Sequence, residues 1–181
     1  MKHLIYTTVI ITIFSSCKKH EVNRDFTSNE LDFVNYSQGQ AIKFIDTNFI
    51  TYSLSQTLFE HDFRQFSVIG GTRYLGEYYE VSYSNNVNAT TFNYNITLRA
   101  ASRPSMEINF NNYGVAATPD SLNAVNSIII NGMAYNNVYS IKVYKQNPQF
   151  NSNDSATLYS NKQFGIIQLL FPDGKRIVRT N

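Results

Sequence analysis

Thr91-Phe92-Asn93-Tyr94-Asn95-Ile96-Thr97-Leu98-Arg99, followed by Ser105-Met106-Glu107-Ile108-Asn109-Phe110-Asn111, decides the fold class of this chain. In the first run Phe92, Tyr94, Ile96 and Leu98 alternate with Thr, Asn and Arg. In the second, Met106, Ile108 and Phe110 alternate with Ser, Glu and Asn. Successive strand side chains point to opposite faces, so each run builds one apolar and one polar face. Ser102-Arg103-Pro104 supplies a turn between them, which makes the pair a hairpin.

The same period continues outward in both directions. Ile50, Tyr52, Leu54 and Leu58 oppose Thr51, Ser53, Ser55 and Thr57, and this alternation argues for strand over 53–66, where one helical turn is the competing reading. Asp46-Thr47-Asn48 separates 41–45 from 49 onward, and Asn85-Asn86 ends a strand over 78–83. Asn131-Gly132, between Ile128–Ile130 and Met133–Tyr135, is the strongest hairpin signal, because a type I′ turn needs two residues tolerant of positive φ. Pro172-Asp173-Gly174 divides the last two strands, and 115–124 reads as a loop. The expectation is an all-β domain over 31–181: an antiparallel meander of roughly nine or ten strands forming a barrel, half-barrel or sandwich.

The amino-terminal residues carry a different message. Lys2 precedes an apolar run from Leu4 to Phe14, and Phe14-Ser15-Ser16-Cys17 ends it with small residues and the single cysteine. Eleven residues do not span a hydrocarbon core, which takes about 20 helical residues. The order basic, apolar, small reads as an export signal. The stretch resembles a lipobox, the site read by lipoprotein signal peptidase. That resemblance implies cleavage between Ser16 and Cys17, a diacylglycerol on the Cys17 sulfur, and an anchored protein whose partner is the membrane. Residues 1–16 are then signal, and 17–30, polar and without apolar periodicity, read as a flexible tether. Lys18, Lys19 and Arg24 sit beside the lipid, where they could touch anionic headgroups, but a solvated tether is the favoured reading.

Composition narrows the function classes. After removal of 1–16 the chain keeps 14 Lys and Arg against 13 Asp and Glu, too even for a nucleic-acid partner. Thirteen Tyr and thirteen Phe supply a core, Trp is absent, and 22 Asn suit turns and polar strand faces.

Two further resemblances concern the carboxy-terminal half. Tyr135-Asn136-Asn137-Val138-Tyr139, Leu158-Tyr159-Ser160-Asn161, Phe164-Gly165-Ile166-Ile167 and Asp173-Gly174 are similar to the closing signature of uncharacterised Bacteroidota lipoproteins. That likeness spans about 128–180 and implies an exported β-rich domain, an outer-membrane location and no known catalytic residue. Asp120-Ser121-Leu122 and Asp154-Ser155-Ala156 resemble the acceptor pattern of O-glycosylation in the same group, which implies Ser121 and Ser155 as acceptors in loops. Only Glu21 follows Lys18-Lys19-His20 as an early acidic residue, which favours the periplasmic leaflet over the cell surface.

Signals for catalysis are weak. With Cys17 committed and only His20 and His61 in the mature chain, zinc ligands are scarce, and no metal or other cofactor is expected. Glu60-His61-Asp62 is the one local acid–His cluster, but neighbours on a strand face opposite ways, so it reads as a solvated strand end. Glu77 and Glu80 stand at odd spacing and cannot share a face. The residues that point to binding are Tyr74, Tyr78, Tyr79, Tyr83 and Tyr94, dense in one region. Exposed, they would stack on sugars; buried, they pack a core with hydroxyls at the rim. The reading that results is a non-enzymatic envelope lipoprotein that binds a small apolar ligand or serves an envelope assembly. A glycan-binding surface lipoprotein and a carboxylate-dependent hydrolase are the alternatives.

Overall fold

The computed structural model describes residues 21–69, 72–85, 92–101, 105–119, 122, 124–146 and 154–180. Cys17, Ser16 and Ser121, and the Ser102-Arg103-Pro104 turn, lie outside them. The expected all-β class is what forms. The described residues form twelve strands, β1 (Glu21–Arg24), β2 (Ile42–Asp46), β3 (Thr51–Ile69), β4 (Thr72–Asn85), β5 (Phe92–Arg99), β6 (Ser105–Phe110), β7 (Tyr113–Ala117), β8 (Ala124–Ile130), β9 (Met133–Lys145), β10 (Ser155–Asn161), β11 (Gly165–Leu170) and β12 (Arg176–Thr180), and one short helix, α1 (Ser28–Leu31).

Ten of the strands close into an antiparallel barrel. The ring runs β2-β3-β4-β5-β6-β7-β9-β10-β11-β12, and β12 pairs back onto β2 through Ile177–Asp46, Val178–Ile45 and Arg179–Phe44. Apart from the closing pair β12–β2 and the place where β8 intervenes, neighbours in the ring are neighbours in sequence, as antiparallel pairing allows. Barrel closure removes the sheet edges that a half-barrel or sandwich would leave. Asp46 accepts from the amides of Asn48 and Ile50 and fixes the first hairpin, while Asn131 and Gly132 take φ of 52° and 79°, as a type I′ turn requires.

The core fills the barrel. Phe44, Leu54, Tyr79, Val81, Tyr83, Phe92, Tyr94, Ile96, Leu98, Met106, Ile108, Phe110, Ile141, Val143 and Leu158 are all buried and belong to one cluster. A second, smaller cluster lies on the opposite face of β12: Ile177 belongs to the interior, whereas Val178 packs with Ile130, Tyr135, Val138 and Ile167. The β8–β9 hairpin therefore folds against the outside of the wall. Asn137, at φ 51°, breaks the alternation there and lets Tyr135 and Val138 reach the same patch.

Three expectations need correction. The tether reading of 17–30 fails from Glu21 onward: β1 pairs in parallel with β4, Phe26 is buried, and Thr27 and Glu30 make a reciprocal capping box on α1. Arg24 is held rather than solvated, because Glu30 is buried and needs a cation; its guanidinium lies 3.3 Å from Glu30 and donates to Ala101 O at 2.8 Å. Leu58 does not continue the face of Leu54. A bulge between Gln56 and Leu58 adds one residue, so Phe59 packs against the core and Leu58 faces out. The loop reading of 115–124 is also too long, since Tyr113–Ala117 pairs with β6 and Ala124 already begins β8.

Candidate functional site: the seam between β11 and β12

The chain from Phe26 to Gln40 lies across one end of the barrel as a plug. It is pinned to successive strands: the Phe26 amide donates to Glu77, the Tyr139 hydroxyl donates to Asp32 at 2.7 Å, and Asn35 Nδ2 donates to Asn161 O. Gln56 Oε1 accepts from the Gly39 amide, and its Nε2 donates to Ser37 O. Phe33 and Tyr36 enter the main core from this segment.

Tyr36 reaches a gap in the barrel wall between β11 and β12. β11 and β12 pair only over Gln168–Val178, Leu169–Ile177 and Leu170–Arg176, so the Gly165–Ile167 end of β11 has no ladder partner in β12. The Ile166 amide donates instead to the Tyr36 hydroxyl at 3.0 Å. The same ring sits 5.4 Å from both Tyr83 and Tyr94. Gly165 is required here: its φ is +67°, and a Cβ would collide with the Tyr36 ring. A bend at Gly165 is what its sequence position suggests; the tyrosine against it is what the fold adds.

Arg179 stands on the other side of the seam. Alternation along β12 turns it inward with Ile177, and its Cζ lies 5.8 Å from the centre of the Tyr36 ring. Its Nη1 is buried without a hydrogen-bond partner, and so is Oδ1 of Asn35 beside Gly165. One unmatched donor and one unmatched acceptor thus flank one tyrosine, in a protein class where buried polar groups are ordinarily satisfied. Arg179 also borders a groove of about 150 Å³ with Ile130, Met133, Tyr135, Val178 and Thr180. Two larger, open grooves lie at the far end; the bigger, about 490 Å³, is lined by Ser140, Lys142, Ser155, Thr157, Phe171 and Pro172 among others.

Burial governs the hydroxyls near the seam. It pushes Tyr83 up to about 12, with Tyr36 adding to the rise and Arg179 opposing it. It raises Tyr79 and Tyr94 further, so all three are neutral hydrogen-bonding groups rather than acids in use near neutral pH.

The five tyrosines singled out in the sequence divide. Tyr79, Tyr83 and Tyr94 line the interior around Tyr36; Tyr78 is buried on the opposite face of β4 under the Arg64 guanidinium, 3.8 Å from its ring centre; Tyr74 is half-buried beside β1. They do not form an exposed row. Ser155 is not in a loop: it is the first residue of β10, half-buried opposite Tyr144. His61 is not at a strand end but midway along β3, opposite Tyr79. It meets Glu77 at 3.2 Å, while Glu60 and Asp62 turn to the other face and hold Arg64. Because Glu77 also takes the Phe26 amide, this acid–His contact fastens the plug. No cluster of three metal-ligating side chains occurs among the described residues.

Asn35, Tyr36 and Arg179 are the three site residues that sequence reasoning missed. Arg176-Ile177-Val178-Arg179 carried a usable signal, since alternation puts a cation on the apolar face. Thr27-Ser28-Asn29-Glu30 likewise fits the capping-box pattern. Comparison with known protein families, curated proteins and solved structures gives no match.

Proposed function

We propose that this chain is a lipid-anchored lipoprotein of the bacterial envelope, of Bacteroidota type, that binds rather than catalyses. Its ligand is a small amphiphile with an anionic group, received at the seam. The single observation that carries the ligand class is the unpartnered, buried Nη1 of Arg179 beside Tyr36. A carboxylate or phosphate there would satisfy the guanidinium and accept from neighbouring hydroxyls, the strongest pairing such a group can make. The groove bordered by Ile130, Met133, Tyr135 and Val178 lies on the outer face of β12, and parting of the β11–β12 seam would join it to the inward guanidinium so that it takes the non-polar part. A glycan reading gains little, because the tyrosines that motivated it are largely buried.

The test is native mass spectrometry of the soluble domain, residues 18–181 without the acylated cysteine, purified gently from the periplasm and paired with titration of a fluorescent long-chain carboxylate. A co-purifying lipid-sized mass and a bound probe support the reading. Arg179→Gln removes one charge-assisted hydrogen bond, which amounts to a loss of affinity of about 10- to 100-fold. A probe that binds the variant as well as the parent refutes the assignment to Arg179. A bare protein that takes up no amphiphile sinks the ligand reading and leaves the role in an envelope assembly.

A further inference from the structure

The proposal that follows rests on lipidation at Cys17. β3 and β4 are much longer than the barrel needs. β5 pairs with β4 only from Tyr78 onward, so Thr72–Glu77 and the facing part of β3 project as a hairpin, about 20 Å beyond the wall at about 3.3 Å per residue. The open side of this β4 stretch is taken by β1, in parallel, through Glu21–Arg73, Val22–Tyr74, Asn23–Leu75 and Arg24–Gly76.

That register fixes where the anchor is. β1 runs away from the hairpin tip, so the residues before Glu21 leave from the tip itself. Cys17 is four residues before Glu21, hence within about 14 Å of it along a fully extended chain. A diacylglycerol on that sulfur cannot enter a bilayer without bringing the tip to the headgroups. The tip is suited to that place on both faces. Val68, 56% exposed, lies on one face of the hairpin near the tip, with Phe63 on the same face at the base, opposite Glu77; Val22, 45% exposed, lies on the other face near the tip with Tyr74. Arg73 at the tip is paired with Glu21 at 3.7 Å, so the basic charge left for headgroups comes from Lys18 and Lys19, which follow the anchor in sequence.

We infer that the β3–β4 hairpin with β1 is a membrane-docking element: it inserts its apolar tip into the interface of an anionic bilayer. The barrel then stands on the hairpin with its plugged end towards the membrane. Apolar side chains with flanking basic groups bind such an interface by burial and by attraction to acidic headgroups.

The chain lacks tryptophan, so one introduced indole reports its own surroundings without background. The full precursor carrying Val68→Trp is produced in an envelope-competent bacterial host. The processed protein is weighed and reconstituted into phosphatidylethanolamine–phosphatidylglycerol vesicles with and without brominated acyl chains. Phe49→Trp, in the exposed β2–β3 turn at the opposite end of the barrel, is the matched control. The expected result is a blue-shifted indole at 68, quenched by bromine at least ~2-fold more than the one at 49, as for a side chain 5–10 Å into the interface. Urea melts of both variants like the parent's show that the fold is intact. A lipidated protein whose indole at 68 is no more quenched than that at 49 overturns the docking proposal and leaves the anchor standing. A mature mass without diacylglycerol overturns both.

Discussion

Replacing Tyr36 with Phe keeps the ring and deletes one oxygen, so it measures how far that oxygen closes the barrel. The hydroxyl accepts from the Ile166 amide, on a residue 1% exposed, and is a hydrogen-bond partner of the fully enclosed Tyr94 hydroxyl. In Tyr36→Phe both groups keep their buried positions and lose that partner. An orphaned buried donor costs about 1–3 kcal/mol. The two together amount to about 2–4 kcal/mol, since Tyr94 can rotate its hydroxyl to recover part of the loss. With a urea m-value of about 2 kcal/mol/M, the midpoint falls by about 1–2 M. Equilibrium urea unfolding followed by tyrosine fluorescence or far-UV circular dichroism reads this directly. Tyr144→Phe, at a ring 44% exposed, should stay within about 0.5 kcal/mol of the parent. A Tyr36→Phe midpoint as close to the parent as that of the control would refute the reasoning: the seam would then be held by ring packing, and the Ile166 amide would have another partner.

Other consequences are as direct. Thr27→Ala removes the side-chain acceptor of the Glu30 amide and should cost about 1 kcal/mol, seen as a lower melting temperature and faster proteolysis within 21–36. Burial, with the hydrogen bond to Asp32 second, pushes Tyr139 up to about 12, and burial does the same for Tyr78 and Tyr83. Each raised group favours its neutral form in the folded state. Their contribution is therefore complete below about pH 10, the ordinary tyrosine value, and is lost as the pH climbs through 10 to 12. Absorbance titration of phenolate should show Tyr78, Tyr83 and Tyr139 ionising together with unfolding; their ionisation near pH 10 in a still-folded protein would contradict it.

How far the sequence could be read depended on the range of the interaction. The alternation of Phe92, Tyr94, Ile96 and Leu98 is a local consequence of strand geometry, and all four are buried as their parity requires. Asn131-Gly132 specifies its own backbone and forms the turn expected of it. Parity fails where one residue is inserted: the bulge at Gln56–Leu58 turns Leu58 outward, and nothing in Gln56-Thr57-Leu58 announces it. The amino-terminal segment failed for a different reason. Its polar composition is real, but Glu30, Arg24, Asn35 and Tyr36 satisfy one another or strands far away in sequence, so polarity there marks contacts rather than solvation. The site suffered most, because Tyr36, Gly165 and Arg179 gain meaning only when closure brings β2 to β12.

The position of the plug decides between two ways a closed barrel can bind. A ligand inside the barrel would have to displace Phe44, Phe92 and Phe110, whose rings pack edge to face at 5.1 Å at the end opposite the plug. Removing such contacts costs several kcal/mol per aromatic side chain, more than a small ligand commonly returns. At the plugged end the resistance is lower. There the wall already lacks its ladder between Ile166 and Arg179, one side chain spans the gap, and a cation and an amide oxygen stand unmatched beside it. The β3–β4 hairpin and β1 leave from that same end. If the hairpin rests on the bilayer, the seam faces a surface that carries small amphiphiles with anionic heads, the chemistry that Arg179 and the apolar groove select. Arg179 and Asn35 mark that end for a ligand, and Val22 and Val68 mark it for a bilayer, so one chain, probed for bound amphiphile without its anchor and for depth in vesicles with it, tests both.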